Sequence, residues 1–404
     1  MSAVDRWAPG VTDGHFYPKF PRSEYDRRYR LIREQMARSK LDALVVWGAL
    51  KHQNALYLSN YVDRLQSYVV LPATEPPTVV ADGFPHVAAA RRMSVIDDVR
   101  WGQRRLETVV AQTLGELVMP NKRVGLVDFD NYHQFMPIDH VKYLKDAFPS
   151  VEFVSALSVV ASVRRRKSPV ELEWLTRSAK TIDACMRAEI RNVRSGATDT
   201  SIYASVVCEA VGHGGEIGLH GFAHLGSTSM TRPSLVFPPF APSLRRVTSG
   251  DVVLNEISVS YGGYSAQLIR PVAVGPIPKL YRDLWLIALE TYSRVAKVLR
   301  PGATEADVLE ACTPIIDAGL TATAPIIHGW DISVEAPTLS IPGRDEWNSG
   351  PFTIEEGQII VIEPNPHLID GTAGIFVGDM CLVTPEGAES LHRSPLDFTV
   401  VRGG

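Results

Sequence analysis

The chain has 404 residues, of which 45% are hydrophobic and 21% charged, with a formal net charge of −4. That length exceeds what one ordinary hydrophobic core serves, so two domains are expected. The slightly acidic balance gives no support to a nucleic-acid or membrane partner, and no apolar run approaches the roughly 20 residues that span a bilayer.

Residues 23–40 carry apolar groups at helical spacing, Tyr29, Leu31, Ile32 and Met36, behind Ser23, which reads as an N-cap with an acidic partner. Leu41–Trp47, Ser67–Leu71, Thr78–Ala81 and Arg123–Val127 are short, apolar and β-branched, as buried strands are. Helical stretches near 86–94, 105–118 and 138–147 separate them, which predicts an α/β layer. Next comes a basic run, Arg164-Arg165-Arg166-Lys167, read as a solvated linker. Ser168, Pro169 and Glu171 then occupy the cap, first and third positions of a helix start, predicting a long helix to about residue 194. The domains are accordingly divided into 1–162 and 163–404. Cys185, Cys208, Cys312 and Cys381 lie far apart with no CxxC pair and no recognisable secretory leader, and read as free buried thiols of a cytoplasmic protein.

An internal echo follows. Arg194-Ser-Gly196-Ala197-Thr198-Asp199 with Ile202 recurs 106 residues later as Arg300-Pro-Gly302-Ala303-Thr304-Glu305 with Val308. Each copy closes one helix at glycine and opens the next at a capping threonine, which points to a duplicated helix-and-strand unit.

Three later segments carry the chemistry. They are Gly250-Asp251-Val-Val-Leu-Asn-Glu256 with Gly263-Tyr264-Ser-Ala-Gln267-Leu-Ile-Arg270, then Ile327-His328-Gly329, then Ile362-Glu363-Pro364 with Gly378-Asp379. In order and spacing they resemble the pita-bread metallopeptidase and creatinase family (M24). The resemblance implies an α/β N-terminal domain and an α+β C-terminal pita-bread domain whose two related halves face each other across a cleft. In the metal-dependent members two Asp, one His and two Glu hold two divalent ions. The matching positions here are Glu256, Gln267, His328, Glu363 and Gly378. An amide at one bridging position and no side chain at another imply that this chain binds no metal and needs no cofactor.

The resemblance implies catalytic roles for His328 and Glu363, and substrate-binding roles for Glu256 and Gln267; Tyr264 and Arg270 read as structural. Trp330 and Asp331 stand where the family carries small residues, so an aromatic ring is expected to fill part of the cleft. Glu335 matches a second, substrate-binding histidine of the peptidases. The family's proton-carrying cleft histidine is replaced by Ser234, which leaves His224, with His220 beside it, as the substitute shuttle. Arg64 matches an arginine that reaches into the partner subunit's cleft in creatinase, so a homodimer is expected.

Creatinase hydrolyses a C–N bond without a metal, holding a guanidinium between acidic residues and moving protons with histidine. Glu256 and Glu363, joined by Glu335 and Asp379, would repel one another unless a cation intervened. The expectation is therefore a metal-independent hydrolase acting on a small polar guanidinium, amidinium or ammonium compound. A lyase working by base-catalysed elimination and a non-catalytic, peptidase-like binding module are the alternatives. The second lacks the long charged extensions such modules carry.

Overall fold

The computed structural model describes residues 17–49, 53–63, 65–117, 121–128, 136–216, 223–228, 242–323, 325–344 and 348–403. The chain divides into two compact units, Met1–Arg164 and Arg165–Gly404.

The first unit runs α1 (Arg22–Arg38), β1 (Ala43–Ala49), α2 (Gln53–Ser59), β2 (Gln66–Pro72), β3 (Thr78–Ala81), α3 (Val87–Met93), β4 (Asp98–Trp101), α4 (Leu106–Gly115), β5 (Arg123–Val127), α5 (Ile138–Ala147), β6 (Glu152–Ser155) and α6 (Leu157–Arg164). Its strands form one mixed sheet in the order β4-β3-β2-β1-β5-β6. Alternate residues of the central strands, Val45, Val70, Val80 and Leu126, pack against Val110 and Leu114 of α4 and Val141 and Leu144 of α5. β1 is buried at nearly every position, which is why it reads as a continuous apolar run rather than an alternating one.

Two expectations are corrected here. Ser23 lies inside α1 and caps nothing: Glu24 N donates to Pro21 O at 3.0 Å, so the helix begins earlier, and the acidic partner Asp26 pairs with Arg22 at 3.1 Å. Nor is the basic run a solvated linker. Arg164 is buried, donating to Asn54 Oδ1 at 2.6 Å, and Lys167 is buried in the second unit; only the middle of the run reaches solvent.

The second unit contains α7 (Pro169–Asn192), α8 (Asp199–Gly212), β7 (Ala223–Thr228), β8 (Val252–Tyr261), β9 (Tyr264–Ile269), β10 (Val272–Val274), α9 (Lys279–Val298), α10 (Glu305–Ala311), α11 (Thr313–Asp317), β11 (Thr321–Ala322), β12 (Ile327–Trp330), β13 (Val334–Leu339), β14 (Ile359–Ile362), β15 (Pro366–His367), β16 (Gly378–Thr384), β17 (Gly387–Ser390) and β18 (Thr399–Val401). α7 starts from the Ser168 capping box, with Glu171 N reaching Ser168 Oγ at 3.3 Å and Ser168 N reaching Glu171 Oε2 at 2.7 Å. All but two of its strands form a large sheet with the path β13-β12-β14-β16-β9-β8-β10-β18, to which β7 adds on β8 and β17 on β16; β11 and β15 pair separately.

The sequence echo is also an echo of hydrogen bonds. Gly196 N donates to Val247 O and Val247 N to Ala197 O, each at 2.8 Å; Gly302 N donates to Ile354 O at 2.9 Å and Ile354 N to Ala303 O at 2.8 Å. Both glycines hold positive φ, 85° and 92°, where a side chain would be strained. Each half thus pins its helix–turn–helix to the backbone of a later segment in the same way, which is the duplicated pita-bread architecture the resemblance implies.

Arg270, expected to be structural, lies behind the sheet. It meets Asp379 Oδ1 at 2.7 Å and the carbonyls of Ile269, Gly378 and Pro395, while Tyr292 of α9 donates to Asp379 Oδ2 at 2.9 Å. Tyr264, the other such residue, donates to Glu171 Oε1 at 2.8 Å. Of the four thiols, Cys185, Cys312 and Cys381 are buried but Cys208 is exposed, correcting that expectation for one of them. No helix among the described residues is long and apolar enough to cross a membrane.

Candidate active site

Strand register places the matched residues. Ile327 pairs with Ile362, Ile362 with Asp379, Asp379 with Leu268, and Leu268 with Ile257. Paired residues share a face and neighbours along a strand alternate, so this row belongs to one face and the residues beside it to the other. Those neighbours are His328, Glu363, Gly378, Gln267 and Glu256. The sheet therefore brings all five positions to one face, and parity sends Asp379 to the opposite one, to Arg270. Asp379 accordingly does not converge with the site carboxylates.

His328 and Glu363 form the centre. His328 Nε2 lies 3.0 Å from Glu363 Oε1, with both side chains about 95% buried. His328 Nδ1 lies 3.1 Å from Gly329 O, which can only accept, so Nδ1 carries a proton. The Nε2–Oε1 contact then requires a second proton, held on the ring or on the carboxyl. The two groups form one proton-sharing unit. Asn365 Nδ2 supports Glu363 Oε2 at 3.3 Å, and Asn365 is itself fixed by Val377 N on its Oδ1 at 2.9 Å.

Glu256 is partly covered on β8. Burial first, and the charge of Glu363 second, push its carboxyl well above the ordinary range. His224 pairs with Glu256 in the β7–β8 register. His220, Ser234 and Arg64 lie outside the described residues.

Gln267 is buried on β9, and its backbone carbonyl accepts from His392 Nε2 at 2.8 Å. Behind His392 stands Asp183. Burial raises that carboxyl, but His392, Arg393 N and Ser394 outweigh it and hold it at about 2. This support for the Gln267 strand went unread in the sequence, because its parts lie 125 and more residues apart.

Glu335 does not stand free in the cleft. Lys167 Nζ lies 2.7 Å from Glu335 Oε1 and 3.0 Å from Asp331 Oδ2, and the Lys167 and Asp331 side chains are fully enclosed. Asp331 Oδ1 accepts from the backbone of Ile332 and Ser333. Glu335 also packs on Gly329, where an added Cβ would come within 2.7 Å of Glu335 Cγ and 2.8 Å of its carbonyl; only glycine admits it. Trp330 is buried and meets the His328 ring at 75° with centroids 5.5 Å apart.

The donor set does not fit a two-metal centre. Gln267 offers a neutral amide and Gly378 no side chain. A Cβ at 378 would lie 2.7 Å from Ile362 O and 3.0 Å from Glu363 Cβ, so the backbone leaves no room for the missing carboxylate. Among the described residues no group of three or more His, Cys, Asp or Glu is arranged to hold a metal ion.

The sequence matches metallopeptidase family M24 over residues 173–385 and the creatinase/prolidase N-terminal domain over residues 28–166. It is 22% identical over 380 residues to an Xaa-Pro dipeptidase of Lactobacillus helveticus, covering 89% of this chain and 98% of that protein. It is 23% identical over 399 residues to a creatinase of Bacillus sp. strain B-0618, covering 94% and 92%. Among solved structures, dipeptidase PepE from Mycobacterium ulcerans superposes with a TM-score of 0.78 at 24% identity, covering 95% of this chain and all of that one. All three are named for hydrolytic activities.

Proposed function

The chain belongs to metallopeptidase family M24, and from that premise we propose that it is a hydrolase that works without a metal, cleaving a C–N bond of a small, polar, cationic substrate. The observation that carries this reading is the pair Glu256 and Glu363 on one face of the sheet, close enough that the charge of Glu363 helps raise the Glu256 carboxyl. Among the described residues, Lys167 is engaged with Asp331 and Glu335, and Arg270 with Asp379 on the other face. A guanidinium, amidinium or ammonium group between Glu256 and Glu363 lets both carboxyls carry charge without repelling one another.

The His328–Glu363 unit then moves protons. A water oxygen bonds to the electrophilic carbon as its proton passes to the unit. The C–N bond breaks with its electron pair on nitrogen, and the departing amine takes the proton back. His224, paired in register with Glu256, is the second group we place in proton transfer.

The test is turnover of a panel of guanidinium, amidinium and ammonium compounds in ¹⁸O-labelled water, with chelator-treated protein. The expected result is amine release with one ¹⁸O in the other product, unchanged by chelation, and no stoichiometric divalent metal by elemental analysis. One or two tightly held ions whose removal abolishes activity would sink the metal-free reading. Amine release without ¹⁸O would make the reaction an elimination.

The same proposal includes a cytoplasmic homodimer in which the N-terminal domain of one copy covers the cleft of the other, with Arg64 the residue that reaches across. Sedimentation at micromolar concentration is expected to give a dimer, and a fully active monomer would refute it.

A further inference from the structure

Trp330 follows His328 by two residues on β12, so both side chains rise from the same face, and their rings touch at 5.5 Å between centroids. The residue is 6% exposed, and its Nε1 has no hydrogen-bond partner. An indole N–H donates and cannot accept, and a buried donor without an acceptor is costly. The neighbouring carboxylates have other partners: Glu363 serves His328 and Asn365, and Asp331 serves Lys167 and the backbone of Ile332 and Ser333. The protein has buried a donor beside its proton-sharing unit and left it unsatisfied.

We propose that Trp330 Nε1–H is an acceptor subsite. The substrate of this cleft carries, apart from its cationic end, an oxygen acceptor, either a carboxylate or an amide carbonyl, that takes this hydrogen bond and lies against the His328 ring. The inference rests on the cation reading above and narrows it to bifunctional molecules. Glu256 and Glu363 take the cationic end and Trp330 the acceptor, with His328 in contact with both Glu363 and Trp330. Trp330 is then a specificity-determining residue, since a hydrogen-bonding site rejects analogues that lack the matching group.

The experiment follows the indole N–H signals of ¹⁵N-labelled protein; the Trp330→Phe variant, which keeps a ring against His328, assigns the Trp330 signal by its loss. Four probes are titrated: guanidinoacetate, guanidinoacetamide, ethylguanidinium and propionate. The Trp330 proton is expected to move downfield with guanidinoacetate, or with the acetamide if the acceptor is a carbonyl, and to stay in place with ethylguanidinium. Trp330→Phe is expected to bind the oxygen-bearing guanidinium about tenfold more weakly, with ethylguanidinium affinity unchanged. If ethylguanidinium does not bind but propionate still moves the Trp330 signal, the acceptor subsite stands and the cation reading falls. A Trp330 signal that no oxygen-bearing probe moves, or wild-type affinity in Trp330→Phe, overturns the proposal. The titration of the wild-type protein decides even if the variant does not fold.

Discussion

Replacing His328 by alanine is expected to lower turnover by about 10²–10⁴, the range of a lost general acid or base, with substrate affinity little changed. Glu363→Gln is expected to weaken substrate binding first, because it removes one of the two carboxylates that hold the cation. The 3.0 Å contact between His328 Nε2 and Glu363 Oε1 adds a sharper expectation. The two residues share one proton, so the double variant should be little worse than the more damaged single variant. Fully additive losses in steady-state kinetics would mean the two act independently. His224→Ala is expected to fall in the same range as His328→Ala. Near-normal turnover in both histidine variants would leave Glu363 as the base, since Glu335 is committed to Lys167. The fold should survive each change, because none of these side chains supplies bulk apolar packing.

The spacing that made the five positions legible is the same that lets strands display them. A two-residue period fixes which side chains share a face, and Glu256, Gln267, His328, Glu363 and Gly378 all obey it. Helix starts were legible where a cap and its partner lie three residues apart, as at Ser168 and Glu171. The start of α1 was misread because Pro21, rather than a polar side chain, stands at the cap position, leaving Asp26 to Arg22.

What escaped the sequence was non-local. Lys167 sits in a basic run that looks solvated, and its partners lie 164 and 168 residues away, so nothing nearby announces a buried ammonium. Asp379 was misassigned by parity: one step along β16 from Gly378 turns a carboxylate from the cleft to the back of the sheet. The departure from the family's metal-ligand set was legible as chemistry, in the amide of Gln267 and the missing side chain of Gly378. The closeness of Ile362 O to Gly378 was not, since only the folded backbone supplies it.

The stability of the protein is expected to fall as pH rises from about 4.5 to about 8 because of a single carboxyl, and Glu189→Gln is expected to remove that dependence. Glu189 is fully buried on α7; Asn255 Nδ2 approaches its oxygens at 2.8 and 2.9 Å, and among the described residues no cation is paired with it. Burial drives the group from its ordinary 4.5 to about 8, against the smaller opposing effect of Asn255. A raised folded-state value means that the folded protein keeps a proton which the unfolded chain releases. The contribution to stability is therefore complete below the unfolded value and is lost as pH climbs through the folded one. A displacement of this size corresponds to a few kcal/mol between the two ends of that window. Glutamine mimics the protonated form and still offers Asn255 an acceptor. The variant should match the wild type near pH 4 and exceed it by that amount near pH 9. The measurement is urea unfolding at intervals across this range, taken as the difference between the two proteins so that every other titrating group cancels. A difference that stays flat with pH would place the Glu189 titration outside the window and refute the assignment. Asn255 immediately precedes Glu256, so ionising Glu189 also bears on the strand that carries the cleft carboxylate. A turnover profile that changes shape in Glu189→Gln, with the His328–Glu363 unit intact, would show that the buried helix carboxyl reaches the site through Asn255.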